Sequence, residues 1–311
     1  MTAAQEDYDA DENREDSCGC GGCGPSFAVH VDRTSPGVGW FRADTTHPRQ
    51  TDGVTTSVGT ANLPVKHRGP EVLAVLGVSL GMSGVYALLS YLKAELTVRG
   101  GISATTATVA SGARTAHMWL NIAYDVTGVV QGLMPVLLVL VLLSRDPGTA
   151  GFGIGLHRRP WRRDLLQGVG FAALIGTPGL VLVWAAHQLG VSANLAVVDV
   201  PDTWYRVPLL LLQAAQNGVL EEIVVVGYLL TRLRHLGWSN GQALGASAVL
   251  RGSYHLYQGL GGFVGNLVMG LILGWWFQRT GRVLPLVVAH ILLDVFAFVG
   301  FLYLRQHISW I

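Results

Sequence analysis

Long apolar runs separated by short polar segments dominate the chain from Val72 onward. A helix needs about 20 mostly apolar residues to cross roughly 30 Å of hydrocarbon, and on this basis the pattern predicts about seven transmembrane helices. They lie near residues 72–92, 120–143, 165–187, 207–231, 239–257, 263–278 and 283–304. Gly77 with Gly81, and Gly270 with Gly274, are spaced by one turn, which predicts close contacts between helices. The expected fold class is therefore all-α, a polytopic membrane helix bundle.

Two polar stretches interrupt this pattern. Residues 1–68 are rich in Asp, Glu, Thr, Gly, Ser and Pro without an apolar period, which predicts a disordered N-terminal tail. All three cysteines, Cys18, Cys20 and Cys23, lie in this tail, and their odd number argues against a disulfide framework. A flexible tail is favoured over a metal-binding or oxidant-sensing role for them. Residues 93–117 are too polar to span a membrane and are expected outside it, as an interfacial helix or loop.

The basic residues predict the orientation of the bundle. They alternate onto one side of the predicted spans, at Lys66, Arg68, Arg145, Arg158, Arg159, Arg162, Arg163, Arg232, Arg234, Arg279 and Arg282. Basic loops stay in the cytoplasm, so the N-terminus is expected to be cytoplasmic.

Composition supports a membrane location and excludes one class of partner. Half of the residues are hydrophobic, only 13% are charged, and the mean hydropathy is +0.41. The net charge of +1 provides no basic surface for DNA or RNA, so no nucleic-acid partner is expected. Lys66 and Lys93 are the only lysines, and this preference for arginine indicates a GC-rich genome. A bacterial cell membrane is therefore the expected location, with the lipid bilayer as a partner.

Ionisable residues are concentrated in the last four predicted spans. Each one costs at least a few kcal/mol at bilayer depth unless it faces a partner or water, so we expect them to converge on one polar intramembrane cavity. They are Glu221 and Glu222 in the fourth span, Arg251 and His255 in the fifth, and His290 and Asp294 in the seventh.

The spacing of these residues supports convergence. Arg251 and His255 are four residues apart, as are His290 and Asp294, so each pair shares a helix face. The adjacent glutamates diverge by about 100° around the axis, so one should enter the cavity while the other reaches a supporting partner. Measured along ideal helices, His255 lies about 24 Å from the start of its span, too deep for easy contact with His290. The fifth helix must therefore tilt, begin deeper or bend.

The order of these motifs resembles the CPBP intramembrane peptidases, the CAAX-protease and bacteriocin-processing family. The resemblance covers about residues 207–304. Three family motifs have matching residues in this sequence. They are the paired glutamates at Glu221 and Glu222, the second-motif histidine at His255, and the final motif at His290 and Asp294. The resemblance implies a catalytic helix bundle over residues 207–311, while the hydropathy pattern predicts N-terminal transmembrane helices and loops over residues 69–206.

Two positions depart from the family pattern. Val226 stands where the family usually has an arginine, four residues beyond the second glutamate, and Arg251 replaces the usual phenylalanine before the second-motif histidine. Arg251 is therefore expected to supply the displaced charge by pairing with Glu222 across two helices.

The resemblance implies an endopeptidase acting on a membrane-associated peptide or protein. In this interpretation Glu221 is the general base, His255 positions the attacking water, and His290 and Asp294 form the oxyanion site. Asp294 orients His290, or donates to the oxyanion itself if it is protonated. Glu222 and Arg251 are expected to be supporting residues. A zinc site is the less favoured alternative, because His-Glu-x-x-His is absent, so no metal or other cofactor is expected.

The sequence is also compatible with two other functions. A proton-coupled transporter would also carry ionisable residues in a bundle, but the first half of the chain carries no counterpart of the motifs. An inactive membrane scaffold, or an immunity or partner-binding protein on the same fold, is the stronger alternative because of Val226. The substrate and the oligomeric state do not follow from the sequence.

Overall fold

The computed structural model describes residues 68–110, 114–146, 150–156, 161–197 and 204–304. The predicted disordered tail, with Cys18, Cys20 and Cys23, lies outside the described residues. Most of the described chain is helical, which confirms the prediction of a helical membrane protein. The elements, in chain order, are α1 (Arg68–Gly77), α2 (Leu80–Thr97), β1 (Thr106–Ala110), α3 (Met118–Ser144), α4 (Trp161–Gln188), β2 (Asn194–Val197), α5 (Arg206–Glu221), a π-helical segment (Glu222–Tyr228), α6 (Leu229–His235), α7 (Asn240–Tyr254), α8 (Leu260–Thr280) and α9 (Leu284–Leu304).

The seven-span count is not confirmed. Among the described helices, four are long and apolar enough to cross a membrane: α3, α4, α8 and the continuous helix Arg206–His235. The bent pair α1 and α2 raises the number to five if it is counted as one span. The predicted fifth span becomes α7, whose 15 residues extend only about 22 Å, less than the roughly 30 Å of hydrocarbon.

The first predicted span is divided into two helices near Gly77 and Gly81, where the sequence predicted a close contact between helices. α1 and α2 meet at an angle of 51°. A Cβ added at Gly77 would meet no atom within 4 Å, and one at Gly81 would lie 2.6 Å from the carbonyl oxygen of Leu76 across the bend. The predicted close contact between helices is therefore present at Gly81, with Leu76 of α1, and absent at Gly77.

A small sheet occupies part of the predicted polar stretch between the first two spans. β1 and β2 pair in parallel, with Thr106 opposite Asn194 and Ala107 opposite Leu195. Thr and Val favour extended backbone, which explains why the Thr-Ala-Thr-Val-Ala run of β1 is a strand. The expectation of an interfacial helix or loop here is corrected to include this strand.

Small residues allow α7 and α8 to pack closely. A Cβ at Gly270 would lie 3.1 Å from the Cα of Ala248, and one at Gly274 would lie 2.7 Å from the Leu244 side chain. The predicted contact at Gly270 and Gly274 is therefore confirmed. α9 packs between α4 and α5, and the largest hydrophobic core surrounds the π-helical segment and α6.

Ionic contacts join the helix ends on one side of the bundle. Arg232, 2% exposed, donates from Nε to Glu71 at 2.7 Å and also donates to Asp146. It donates further to the carbonyl of Leu142 at 3.0 Å. These contacts connect α6 to α1 and to the end of α3. They bring together helix ends that the arginine pattern had assigned to one side.

A second ionic contact anchors the turn before α9. Arg282 donates from Nε to Oδ1 of Asp164, at the start of α4, at 2.9 Å. This hydrogen bonding raises the pKa of Arg282 above its usual value. Val283 also donates its backbone N–H to the carbonyl of Ile154 at 3.0 Å. The start of α9 is thus fixed relative to α4.

Candidate active site

The two adjacent glutamates lie where an α-helix changes to a π-helical segment. α5 ends at Glu221, and the π-helical segment begins at Glu222. Such wide turns occur frequently at functional sites. One turn earlier, a Cβ at Gly218 would lie 2.7 Å from Cγ1 of Ile291 and 3.0 Å from its backbone nitrogen. The absence of a side chain at Gly218 therefore lets α5 approach α9 beside His290.

Glu222 connects three helices through one carboxylate oxygen. Its Oε1 accepts a hydrogen bond from Nη2 of Arg251 at 2.5 Å and lies 2.7 Å from Nδ1 of His290. Glu222 and Arg251 are both fully buried. The predicted pairing of these two residues is confirmed. Because an ionised carboxylate only accepts, the contact with His290 requires the proton on Nδ1.

A second carboxylate, that of Asp294, lies farther from the His290 ring. Asp294 was expected to orient His290, but its Oδ1 lies 3.7 Å from Nε2 of that histidine, beyond hydrogen-bond distance. Glu222, at 2.7 Å, makes the orienting contact. Asp294 is instead held by a side-chain hydrogen bond with Asn217.

Glu221 is surrounded by four polar side chains. Tyr254 donates its hydroxyl to Oε2 at 2.8 Å. The same oxygen lies 3.8 Å from Nε2 of His290 and 3.9 Å from Nε of Arg251. On the other side, Oε1 lies 3.9 Å from Nε2 of His255. The two oxygens of Glu221 therefore face different environments.

His255 and Asp294 lie at the accessible edge of the cluster. Their side chains are 15% and 20% exposed, whereas Glu222 and Arg251 are inaccessible. Nδ1 of His255 lies 3.1 Å from the backbone carbonyl of Arg251. A carbonyl accepts, so Nδ1 carries the proton and Nε2 of the neutral ring is an acceptor directed toward Glu221.

The end of α7 explains how His255 reaches this depth. The helix ends at Tyr254, and the chain reverses through a short 3-10 turn at Leu256–Gln258. Gly259 has φ of 95°, a conformation that glycine adopts readily, before α8 begins. The fifth helix is thus short and reverses inside the bundle, which resolves the mismatch in depth expected from a full span.

The structure brings together all six candidate residues and adds two that the motifs did not indicate. Tyr254 precedes His255 directly, and Asn217 lies one helical turn before Glu221. The four-residue spacing of Asn217 from Glu221 was a usable signal in the sequence. For Tyr254 the signal was a phenol hydroxyl between Arg251 and His255 in the fifth predicted span.

The donor set does not form a metal centre in this arrangement. Within the described ranges, no three His, Cys, Asp or Glu side chains are grouped as metal ligands would be. Nε of Arg251 lies 3.9 Å from Glu221, and this permanent cation would oppose a metal ion at the same oxygen. The guanidinium therefore disfavours a metal ion beside this oxygen of Glu221.

These features define a multi-pass membrane protein with a buried glutamate and histidine site. Residues 203–296 match the family model described as Type II CAAX prenyl endopeptidase Rce1-like. This segment is similar to the CPBP/CAAX protease family, in agreement with the predicted resemblance, and it contains all six candidate residues. No curated protein and no solved structure matches the chain significantly. The match supports a membrane peptidase that acts on a peptide or protein.

Proposed function

We propose that this protein is a glutamate-dependent, metal-independent intramembrane endopeptidase. One observation carries the proposal: Glu221 is buried, and His255 and His290 each lie near a different oxygen of its carboxylate. Peptide hydrolysis needs an activated water, a donor for the oxyanion and a proton for the leaving amine. The contacts of Glu221 provide groups for each requirement.

Water activation is assigned to Glu221 and His255. Their facing atoms, Oε1 and Nε2, are 3.9 Å apart, too far for a direct hydrogen bond but within reach of one bridging water. Both atoms accept hydrogen bonds, so such a water directs both hydrogens away from the scissile carbonyl and its lone pair toward it. Glu221 takes one proton as the water oxygen bonds to the carbonyl carbon.

His290 is assigned to the oxyanion. With Nδ1 donating to Glu222, Nε2 carries a proton only when the ring is an imidazolium. The carboxylates of Glu221, Glu222 and Asp294 outnumber the single guanidinium of Arg251, and this balance favours the imidazolium. Its Nε2–H is then available to the developing negative charge. Asp294, fixed by Asn217, faces the same nitrogen.

The leaving amine receives the proton that Glu221 took from the water. The C–N bond breaks as this proton is transferred, which yields a carboxylic acid and an amine and regenerates the Glu221 carboxylate. Glu222 and Arg251 do not touch the substrate in this scheme. They hold His290 and set the charge around Glu221.

The substrate is proposed to be a peptide or protein reached from the membrane. It would approach along the edge where His255 and Asp294 are accessible, because the other side of Glu221 is closed by Arg251 and Glu222. The CAAX-type family assignment supports this class of substrate and does not define the cleavage site.

The decisive variant is Glu221→Gln, which preserves the shape of the side chain and removes the base. Glu95→Gln, in α2, is the matched control, since that carboxylate contacts the backbone N–H of Ile102 and lies outside the site. Membrane proteomes of cells expressing each form identify the cleaved protein, and the purified protein is then assayed on that peptide. Cleavage by Glu221→Gln above about a tenth of the wild-type rate contradicts the general-base role.

Metal independence is tested separately with chelators. Incubation of the purified protein with EDTA and 1,10-phenanthroline should leave the cleavage rate unchanged. Loss of activity that added zinc restores would overturn the metal-free mechanism.

The inactive scaffold remains a second candidate because of Val226. That position lacks the family's usual arginine, and the Glu222 cluster ties three helices together whether or not peptides are cleaved. A purified wild-type protein that binds the recovered peptide without cleaving it would favour the scaffold.

A further inference from the structure

The Tyr254 side chain makes the shortest contact of the proposed general base. Its hydroxyl donates to Oε2 of Glu221 at 2.8 Å, whereas the histidines and Arg251 stay at 3.8–3.9 Å. Tyr254 is 6% exposed, and its ring centroid lies 4.8 Å from that of His255. It therefore contacts both members of the proposed water-activating pair.

The hydroxyl of Tyr254 makes a specific hydrogen bond in addition to the packing of its ring. A buried tyrosine needs a partner for its hydroxyl, and this hydroxyl finds a carboxylate rather than a backbone carbonyl. The contact occupies Oε2 and leaves Oε1, the oxygen that faces His255, free to accept a proton. It also links the last residue of α7 to the last residue of α5.

We propose that Tyr254 is a positioning residue that selects Oε1 of Glu221 as the basic atom. This inference rests on the proposed function, in which Glu221 activates the water. The hydroxyl fixes the rotation of the carboxylate group, so that Oε1 points toward His255. It also stabilises the ionised form of Glu221, since a donor to a carboxylate favours the charged state.

Without the Tyr254 hydroxyl, the remaining side chains around Glu221 are too far away to hold its carboxylate group in one orientation. Arg251 and His290 both lie near Oε2 at more than hydrogen-bond distance, and His255 lies near Oε1. The carboxylate could then rotate toward Arg251, which would move the basic oxygen away from the water. Turnover should fall while substrate binding is retained, because Tyr254 acts through Glu221.

The test compares Tyr254→Phe with Tyr205→Phe in the full-length protein. Tyr205 is also buried, but it packs against Leu209 near the start of α5. We expect kcat for the recovered peptide to fall about tenfold or more in Tyr254→Phe with KM little changed, as for a lost positioning contact in catalysis. Tyr205→Phe should retain the wild-type kcat. A Tyr254→Phe protein with wild-type kcat overturns the proposal.

A second readout does not require cleavage. Dicyclohexylcarbodiimide reacts with protonated buried carboxyl groups, and mass spectrometry can locate the adduct. Labelling of Glu221 should be about fivefold faster in Tyr254→Phe, the ratio expected for the loss of one ordinary hydrogen bond. The unlabelled Glu221 peptide in the same digest serves as the internal reference. Equal labelling of Glu221 in both tyrosine variants refutes the contact.

The two readouts separate this proposal from the proposed function. If Glu221→Gln still cleaves the peptide, the general-base role fails, and with it the selection of a basic oxygen. If the wild-type protein cleaves nothing, the peptidase assignment fails, and the labelling rates still decide whether Tyr254 controls the Glu221 carboxylate.

Discussion

The buried pair of Arg251 and Glu222 offers the sharpest test of the site's energetics. Both side chains are fully buried, and among the described residues Glu222 receives the only hydrogen bond of the Arg251 guanidinium. Arg251→Met keeps an unbranched side chain of similar length and removes the charge. It leaves two buried glutamates, Glu221 and Glu222, without their nearest guanidinium.

The expected loss of stability depends on which contacts remain to the buried glutamate after Arg251 is replaced. Breaking a buried ion pair from one side costs about 3–5 kcal/mol. Glu222 keeps its 2.7 Å contact with His290, so the lower end, about 3 kcal/mol, is expected for Arg251→Met. For a chain of this size, that loss lowers Tm by about 6–12 °C. Glu222→Gln should be destabilising for the same reason.

A double-mutant cycle separates the pair from its surroundings. Thermal unfolding in detergent would be followed for both single variants and for Arg251→Met with Glu222→Gln. Because the double variant contains no unpaired charge from this pair, it should be about 2 kcal/mol more stable than the sum of the single losses predicts. Additive losses would show that Arg251 and Glu222 are not coupled and would refute the reasoning.

Three further predictions follow from other features of the chain. Gly218→Ala should lower both Tm and activity, since the added Cβ would lie 2.7 Å from Ile291, and thermal unfolding and peptide cleavage measure this. Gly128→Ala, which meets nothing within 4 Å, is its control and should be neutral. Val226→Arg with Arg251→Phe should recover part of the stability and activity lost in Arg251→Ala; a double variant no better than the single one would contradict the displaced charge. Deleting residues 2–60 should leave insertion and Tm unchanged, because their composition cannot form a core, and a large fall in Tm would refute this.

Hydropathy predicted most of the helices but not where they break. A window of apolar residues reports how much of a segment can face lipid, and it is insensitive to a turn of backbone inside that segment. Gly77 and Ser79 interrupt the first span, and Gly259 ends the reversal after α7. Both breaks lie inside or beside apolar sequence, so hydropathy alone does not detect them.

The candidate residues were predictable because burying charge is costly, but their partners were not. The four-residue spacing of His290 and Asp294 suggested that they contact each other. In the structure the close approach of α5 at Gly218 brings Glu222 nearer to His290 than Asp294 is. A pattern on one helix cannot report which neighbouring helix approaches it. The sequence did not indicate Tyr254, because adjacent residues on an intact helix point in different directions and His255 was expected to face the site. In the structure α7 ends at Tyr254, so both side chains reach the site.

The position of the arginine changes what the charge near Glu222 does for the fold. An arginine at position 226 would lie on the same helix as Glu222, and their attraction would stabilise that helix without joining it to another. Val226 is instead fully buried in the hydrophobic core, and Arg251 brings the guanidinium from α7. The ion pair therefore acts between helices and holds the end of α7, with Tyr254 and His255, against Glu221. Since the water-activating pair comes from those two helices, the contact that neutralises Glu222 also maintains the 3.9 Å separation on which the proposed chemistry depends.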